Sequence, residues 1–287
     1  MPSLFRFLSV VPLSIAHCIG AGLGWLAWAF SPTYRRRFAA NSQQAGYRFG
    51  EVAAAIGHAG RMVTELPRLW LTDTPVNAMH GEEVVEAAWA RGKGILFLTP
   101  HLGCFELSVQ GAAKRWSAAH GPITILYRPA KQAWLAEMML TARNRSGIQA
   151  VPTNLSGVRQ MIKALRKGEA VGLLPDQVPP QGQGQWAPFF GKDAYTMTLA
   201  ARLALQTGAT VVLARCERLP AGRGYELFFE TLPQPLSDQL EVAVVQLNQA
   251  MEHTIQQCPT QYLWGYGRYK QPRQEAAPVQ ETTEGNA

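Results

Sequence analysis

Gly94-Ile95-Leu96-Phe97-Leu98-Thr99-Pro100-His101-Leu102-Gly103-Cys104-Phe105-Glu106-Leu107 is the stretch on which the reading of the fold turns. Residues 95–99 are apolar or β-branched, bounded by Gly94 and Pro100, and short enough for a buried strand. Gly103 supplies a flexible corner, and 106–118 reads as a helix. A histidine at the carboxyl end of a buried strand stands where open α/β sheets gather their reactive groups. Glu106 lies five positions on, near enough to fold back onto the imidazole. A carboxylate so placed fixes the ring tautomer and stabilises the imidazolium, which makes the pair a candidate general base. A His-x-x-x-x-acid spacing also arises by chance, so its weight comes from its place at a strand end.

Outward from this stretch the pattern alternates. Further strands are expected at 123–127, 150–152, 170–174, 210–216 and 225–231. Helices are expected at 133–145, 155–167, 197–206 and 237–257. Strand–helix alternation predicts an α/β fold, a mostly parallel sheet covered by helices.

The chain has 287 residues with 47% hydrophobic content, enough for a substantial core. Its 27 Lys and Arg exceed 20 Asp and Glu by 7, which points to an anionic partner: nucleic acid, phospholipid or an acidic protein. Cys18, Cys104, Cys216 and Cys258 are widely spaced, form no C-x-x-C pair, and read as free thiols in a reducing compartment. There is no glycine-rich phosphate loop and no internal repeat.

Residues 8–30 contain no charged side chain and are long enough to cross a bilayer. Pro12, His17 and three glycines weaken that reading, while Trp25, Trp28 and the following Arg35-Arg36-Arg37 support a retained anchor over a cleaved signal peptide. Residues 34–71 read as helical, with arginines dispersed in an alanine-rich background. The chain thus divides into a hydrophobic membrane anchor (1–32), a membrane-proximal helical arm (33–80), an α/β domain (81–270) and a disordered tail rich in Gln, Glu, Thr and Pro (271–287).

Several expected strand ends carry polar residues. Tyr127-Arg128-Pro129 follows the second strand, and Pro175-Asp176-Gln177 follows the fourth. Arg128 there can hold a phosphate or polarise a carbonyl, or be structural. Asp176 is a second carboxylate for His101, or a cap or turn residue. Phe189 and Phe190 line an acyl pocket or belong to the core.

In order along the chain, these segments resemble the bacterial late acyltransferases of lipid A, within the wider lysophospholipid-acyltransferase group. The resemblance rests on the apolar N-terminus, on His101 with Glu106, on Tyr127-Arg128-Pro129, on Gly168 through Gln177, and on Phe189-Phe190-Gly191 with Thr196. It ends in a block of Gln261, Tyr262, Trp264, Arg268, Tyr269 and Lys270. Cys104-Phe105 stands where the family pattern has Asn-Trp, and Tyr266 where a histidine is frequent, so acyl-chain and acceptor preference are where this chain departs.

The resemblance implies a glycerolipid-acyltransferase-like fold with an N-terminal membrane-anchor helix. It also implies acyl transfer from acyl carrier protein to a hydroxyl of a lipid A precursor, at the cytoplasmic face of the bacterial inner membrane. It carries His101, Glu106, Asp176 and Arg128 as catalytic residues, and Tyr127, Gln177, Phe189, Phe190, Trp264 and Arg268 as substrate-binding ones. It implies no metal, no cofactor and no nucleic acid. Arg128, or backbone N–H groups near Gly103, would meet the oxyanion. A Cys104–His101 nucleophile with an acyl-enzyme is the competing mechanism. Another lipid acceptor, or a non-enzymatic basic binder of membranes or nucleic acid, are the competing functions.

Overall fold

The computed structural model describes residues 2–127, 132 and 147–274. The expected helix at 133–145, Arg128 and most of the tail lie outside them. Seven strands form one sheet: β1 (Ala78–His80), β2 (Ile95–Leu98), β3 (Ile123–Tyr127), β4 (Ile148–Pro152), β5 (Ala170–Leu173), β8 (Thr210–Arg218) and β9 (Tyr225–Thr231). Their order is β1-β9-β8-β2-β5-β3-β4, and every pairing is parallel except β8 with β9. The α/β fold expected from the alternation is the one observed.

β2 sits centrally, and all four of its residues are buried. Because strand side chains alternate with period two, Leu96 and Leu98 enter one core while Ile95 and Phe97 enter the other. The first core is covered by α9 (Leu155–Arg166), α10 (Leu199–Thr207) and α11 (Leu240–Gln257). The second is covered by α7 (Glu82–Ala90) and α8 (Phe105–His120). A two-stranded hairpin, β6 (Gly184–Phe189) with β7 (Lys192–Met197), packs on the α11 side. Its loop is Phe190-Gly191, both at positive φ (48° and 72°), as a type I′ turn requires. The strain at Phe190 is held by two hydrogen bonds: its N–H donates to Glu252 Oε1 (2.7 Å) and its carbonyl accepts from Gln44 Nε2 (2.7 Å).

The N-terminal region is helical: α1 (Pro2–Val10), α2 (Leu13–Phe30), α3 (Pro32–Gln44), α4 (Phe49–Val52), α5 (Ala54–Thr64) and α6 (Leu66–Leu71). The apolar stretch is broken at Pro12, so α2 is the helix long and apolar enough, by length and composition, to cross a membrane. Ser31 caps α3 by accepting from the Tyr34 N–H (3.2 Å), with Pro32 at the first turn. These helices do not stand apart from the sheet. Phe38, Val52 and Ile56 are buried in the first core, and Leu69 and Trp70 in the second.

Candidate active site

Strand register brings the site together. Leu98 of β2 pairs with Leu173 of the neighbouring parallel strand β5, and the Thr99 N–H still donates to the Leu173 carbonyl (3.1 Å). His101 and Asp176 each lie three residues beyond this pair, so the two chains deliver them side by side. Asp176 Oδ1 lies 2.7 Å from His101 Nδ1, and Oδ2 accepts from the His101 backbone N–H at 3.0 Å. The carboxylate is almost wholly buried, whereas the imidazole is 19% exposed. Burial alone would raise the Asp176 carboxyl. The neighbouring His101 charge and both hydrogen bonds outweigh it and hold the group below its ordinary value. A carboxylate on Nδ1 leaves Nε2 as the ring nitrogen that can meet a substrate.

The loop carrying His101 is clamped from behind. The Leu263 N–H donates to the His101 carbonyl (3.1 Å), Gly103 N–H to Gln261 O (3.1 Å), and Cys104 N–H to Cys216 O (2.7 Å). The N–H groups of Gly103 and Cys104 are thereby engaged and do not face an oxyanion. Gly103 is at φ +57°, and a Cβ there would come within 1.9 Å of the Cys216 carbonyl, so this close approach requires glycine. The Asp176 loop is held likewise: Val178 N–H donates to Tyr266 Oη (3.0 Å).

A cavity of about 410 Å³ opens beside His101. Its mouth carries Thr99, His101, Phe105, Glu106 and Gln177. It deepens between α8 and the sheet, where Phe97, Ala112, Ile123, Ile125, Ala214 and Phe229 form an apolar wall. Phe105, Ser108, Val109 and Ala112 fall on one face of α8 by their i, i+3, i+4, i+7 spacing, and all four line the cavity. Ser108 is buried there, and its hydroxyl has no hydrogen-bond partner among the described residues. The Phe105 ring lies 4.9 Å from the imidazole. An apolar cavity of this size, with a few polar groups gathered at one end, is the usual form of a small-ligand site.

Glu106 stands in the first turn of α8, where the helix dipole favours a carboxylate. It shares the cavity with His101, but the carboxylate on the imidazole Nδ1 is that of Asp176. Cys104 is buried at the amino end of α8 and is not among the residues lining the cavity. Burial and the neighbouring Cys216 push its thiol well above its ordinary value, the opposite of an activated nucleophile. Among the described residues no group of three or more His, Cys, Asp and Glu is placed to hold a metal ion.

A scan of the sequence against protein-family models matches residues 3–271 to the bacterial lipid A biosynthesis acyltransferase family. The chain belongs to that family. It is 30% identical over 202 residues to the lipid A biosynthesis lauroyltransferase of Escherichia coli K12, covering 69% of this chain and 63% of that one. Identity to the palmitoleoyltransferase of the same strain is 26% over 195 residues, covering 67% and 61%. A lipid A biosynthesis acyltransferase of Haemophilus influenzae aligns over 96% of this chain and 91% of its own length, at 24% identity. The chain therefore spans less than two thirds of the length of the first two relatives.

The blocks through which the chain resembles the lipid A acyltransferases divide into two groups in space. His101, Glu106 and Gln177 line the cavity, Asp176 is buried against the His101 ring, and Tyr127 is buried at the end of β3. Phe189, Phe190, Trp264 and Arg268 are not among the residues lining the cavity; they pack behind it. Phe189 ends β6 in the first core, and Trp264 contacts the rings of Tyr47, Phe190 and Tyr262. Arg268 is buried, donating to the Tyr195 carbonyl (2.8 Å) and Thr196 Oγ1 (2.7 Å). These residues fasten the hairpin and the C-terminal block against the site. The sequence reading placed Tyr262 in the C-terminal block but gave it no role at the site; it is buried behind Asp176, and burial and the Asp176 charge push its hydroxyl well above its ordinary value. The same reading missed Ser108. Only the helical spacing from Phe105 could have pointed to it.

Proposed function

We propose that this chain transfers a fatty acyl group from acyl carrier protein to a hydroxyl of a lipid A precursor, at the cytoplasmic face of the bacterial inner membrane. The observation that carries the reading is the His101–Asp176 pair at the polar mouth of an apolar cavity. Such a cavity suits an acyl chain, with its thioester held at the mouth.

His101 Nε2 removes the proton from the acceptor hydroxyl as its oxygen attacks the thioester carbonyl. Asp176 holds the ring in the Nδ1–H tautomer and stabilises the imidazolium. The tetrahedral oxyanion collapses, the C–S bond breaks, and the imidazolium proton passes to the departing thiolate. No covalent enzyme intermediate is needed. Glu106 sits at the mouth to position the acceptor. The Phe105 N–H at the start of α8 and Arg128 are the candidates to meet the oxyanion. Gln177 and Tyr127 are assigned to substrate binding, and the net charge of +7 suits both a phosphorylated lipid and an acidic carrier protein.

The test is transfer by purified protein from acyl-loaded carrier protein to a lipid A precursor, read by mass spectrometry, alongside His101→Ala. A product one acyl chain heavier, absent with the variant, is expected. Acylation of a lysophospholipid or ornithine lipid in place of the precursor would move the chain to another acceptor. Transfer undiminished in His101→Ala would refute the mechanism.

A further inference from the structure

We infer that α2 does not cross the membrane but lies in its plane, docking the enzyme to one leaflet of an anionic bilayer through the outer faces of α1 and α2. This rests on the membrane location proposed above and specifies how the chain meets that membrane.

Both ends of α2 are tied to the same folded body. At its amino end, Arg68 Nη2 of α6 donates to the Val11 carbonyl (2.7 Å). There the turn between β8 and β9 presses so close that a Cβ on Gly222 would come within 2.5 Å of the Ser14 backbone. At its carboxyl end, Trp28 packs on Phe49 of α4 (ring centroids 5.7 Å). The helix that follows, α3, donates from Asn41 Nδ2 to the carbonyls of Trp264 and Tyr266 (2.6 Å each).

Between the ends α2 is sealed along α5. A Cβ on Gly24 would come within 2.1 Å of the Ile56 carbonyl, and one on Gly60 within 1.9 Å of the Gly20 carbonyl. His17 Nε2 reaches Glu65 Oε2 (3.2 Å), and Glu65 is in turn paired with Arg218 of β8; all three side chains are buried. An 18-residue helix is about 27 Å long, close to the thickness of a bilayer's hydrocarbon core. Were α2 to cross, the β8–β9 turn and the Trp264–Tyr266 segment would have to lie on opposite sides of the membrane. Arg61 and His58 of α5 would be carried to bilayer depth beside it. One compact domain meets neither condition.

The face of α2 turned away from α5 is apolar and open. Ile15, Ile19, Leu23, Leu26 and Phe30 are 49–82% exposed, and α1 continues the surface with Leu4, Phe7 and Val10 at 56–69%. The occupant is identified by charge. Residues 1–50 contain five arginines and no Asp or Glu; Arg6, Arg36 and Arg37 are exposed, while Arg48 is paired with Glu51. An apolar helix face flanked by arginines and by Trp25 and Trp28 fits the boundary between anionic headgroups and acyl chains.

The test places Ser3→Cys and Thr33→Cys singly in a Cys18→Ala background and labels sealed inner-membrane vesicles of both orientations with an impermeant maleimide. Both sites should label in inside-out vesicles and neither in right-side-out ones; labelling from opposite sides would overturn the inference. Flotation of purified protein with phosphatidylglycerol–phosphatidylethanolamine vesicles supplies the second arm. Ile15→Asp with Leu26→Asp should weaken binding at least tenfold at unchanged melting temperature. Arg36→Ala should weaken it about fivefold, and only with the anionic lipid. Cys18, the exposed cysteine on this outer face, should lose maleimide reactivity when vesicles are added. No vesicle binding, or a lipid-free dimer that protects Cys18, would overturn the proposal. Acyl transfer in detergent keeps the two readings apart. Opposite-side labelling with transfer intact sinks only the docking mode, and same-side labelling without transfer sinks only the assigned activity.

Discussion

Replacing Asp176 with Asn asks which carboxylate sets the state of His101. The carboxylate accepts two hydrogen bonds at once: from the His101 backbone N–H at 3.0 Å and from the ring at 2.7 Å. An amide has one acceptor and one donor end, so it can keep only one of them. If its oxygen stays on the backbone N–H, its NH2 faces Nδ1, and the ring must carry its proton on Nε2, where it cannot act as a base. If the amide flips, the ring keeps its tautomer, but two buried donors face each other at a cost of about 1–3 kcal/mol. The inactive arrangement is therefore favoured roughly 5- to 150-fold, and imidazolium stabilisation is lost in both. General-base catalysis contributes about 10²–10⁴-fold, so a fall in kcat of about 10³ is expected, with the fold retained by circular dichroism. The assay is the initial rate of acyl transfer at saturating donor, run beside Glu106→Gln. A rate for Asp176→Asn within threefold of wild type, with Glu106→Gln collapsing, would show that Glu106 governs the ring and would refute the register argument.

Three further outcomes follow from the same geometry. Cys104→Ala should retain turnover within a few-fold, since the thiol is buried with its pKa raised; a folded variant without activity would restore the acyl-cysteine mechanism. Burial pushes the Glu65 carboxyl up, but Arg218 and His17 outweigh it and hold the group near a pKa of about 2. Its folded value thus lies below its unfolded one, so its stabilisation is complete above about pH 4.5 and fades as pH falls toward 2. The loss is on the order of 3 kcal/mol, seen as a falling urea midpoint that Glu65→Gln should flatten. Ala112→Phe would fill the apolar wall of the cavity and should shorten the preferred acyl chain, measured by competing donors of different length. An unchanged preference would move the acyl chain elsewhere.

The sheet was legible because buried strands of four to seven residues, ended by Gly and Pro, leave a local mark: residues 123–127 and 225–231 match the observed strands end to end. The chemistry was legible only in part. Glu106 was readable as a partner for His101 because the two are close in sequence. Asp176, 75 residues away, could be read only as a second carboxylate for His101 or a cap, because it meets the ring through the parallel pairing of Leu98 with Leu173, which no local spacing records. The hairpin was hidden for a different reason. Trp186-Ala187-Pro188-Phe189-Phe190-Gly191 has the apolar content of a pocket wall, and a bulky residue at positive φ is not what turn chemistry leads one to expect. Arg268 and Trp264 likewise carry the residue types of a binding site, while their hydrogen bonds run to Tyr195, Thr196 and Pro259 within the fold. Motif order along the chain is thus compatible with two physical roles, touching substrate or holding what touches it. Only burial and partner separate them: at this site the mouth residues face the cavity, and the C-terminal block fixes the backbone of His101 from behind.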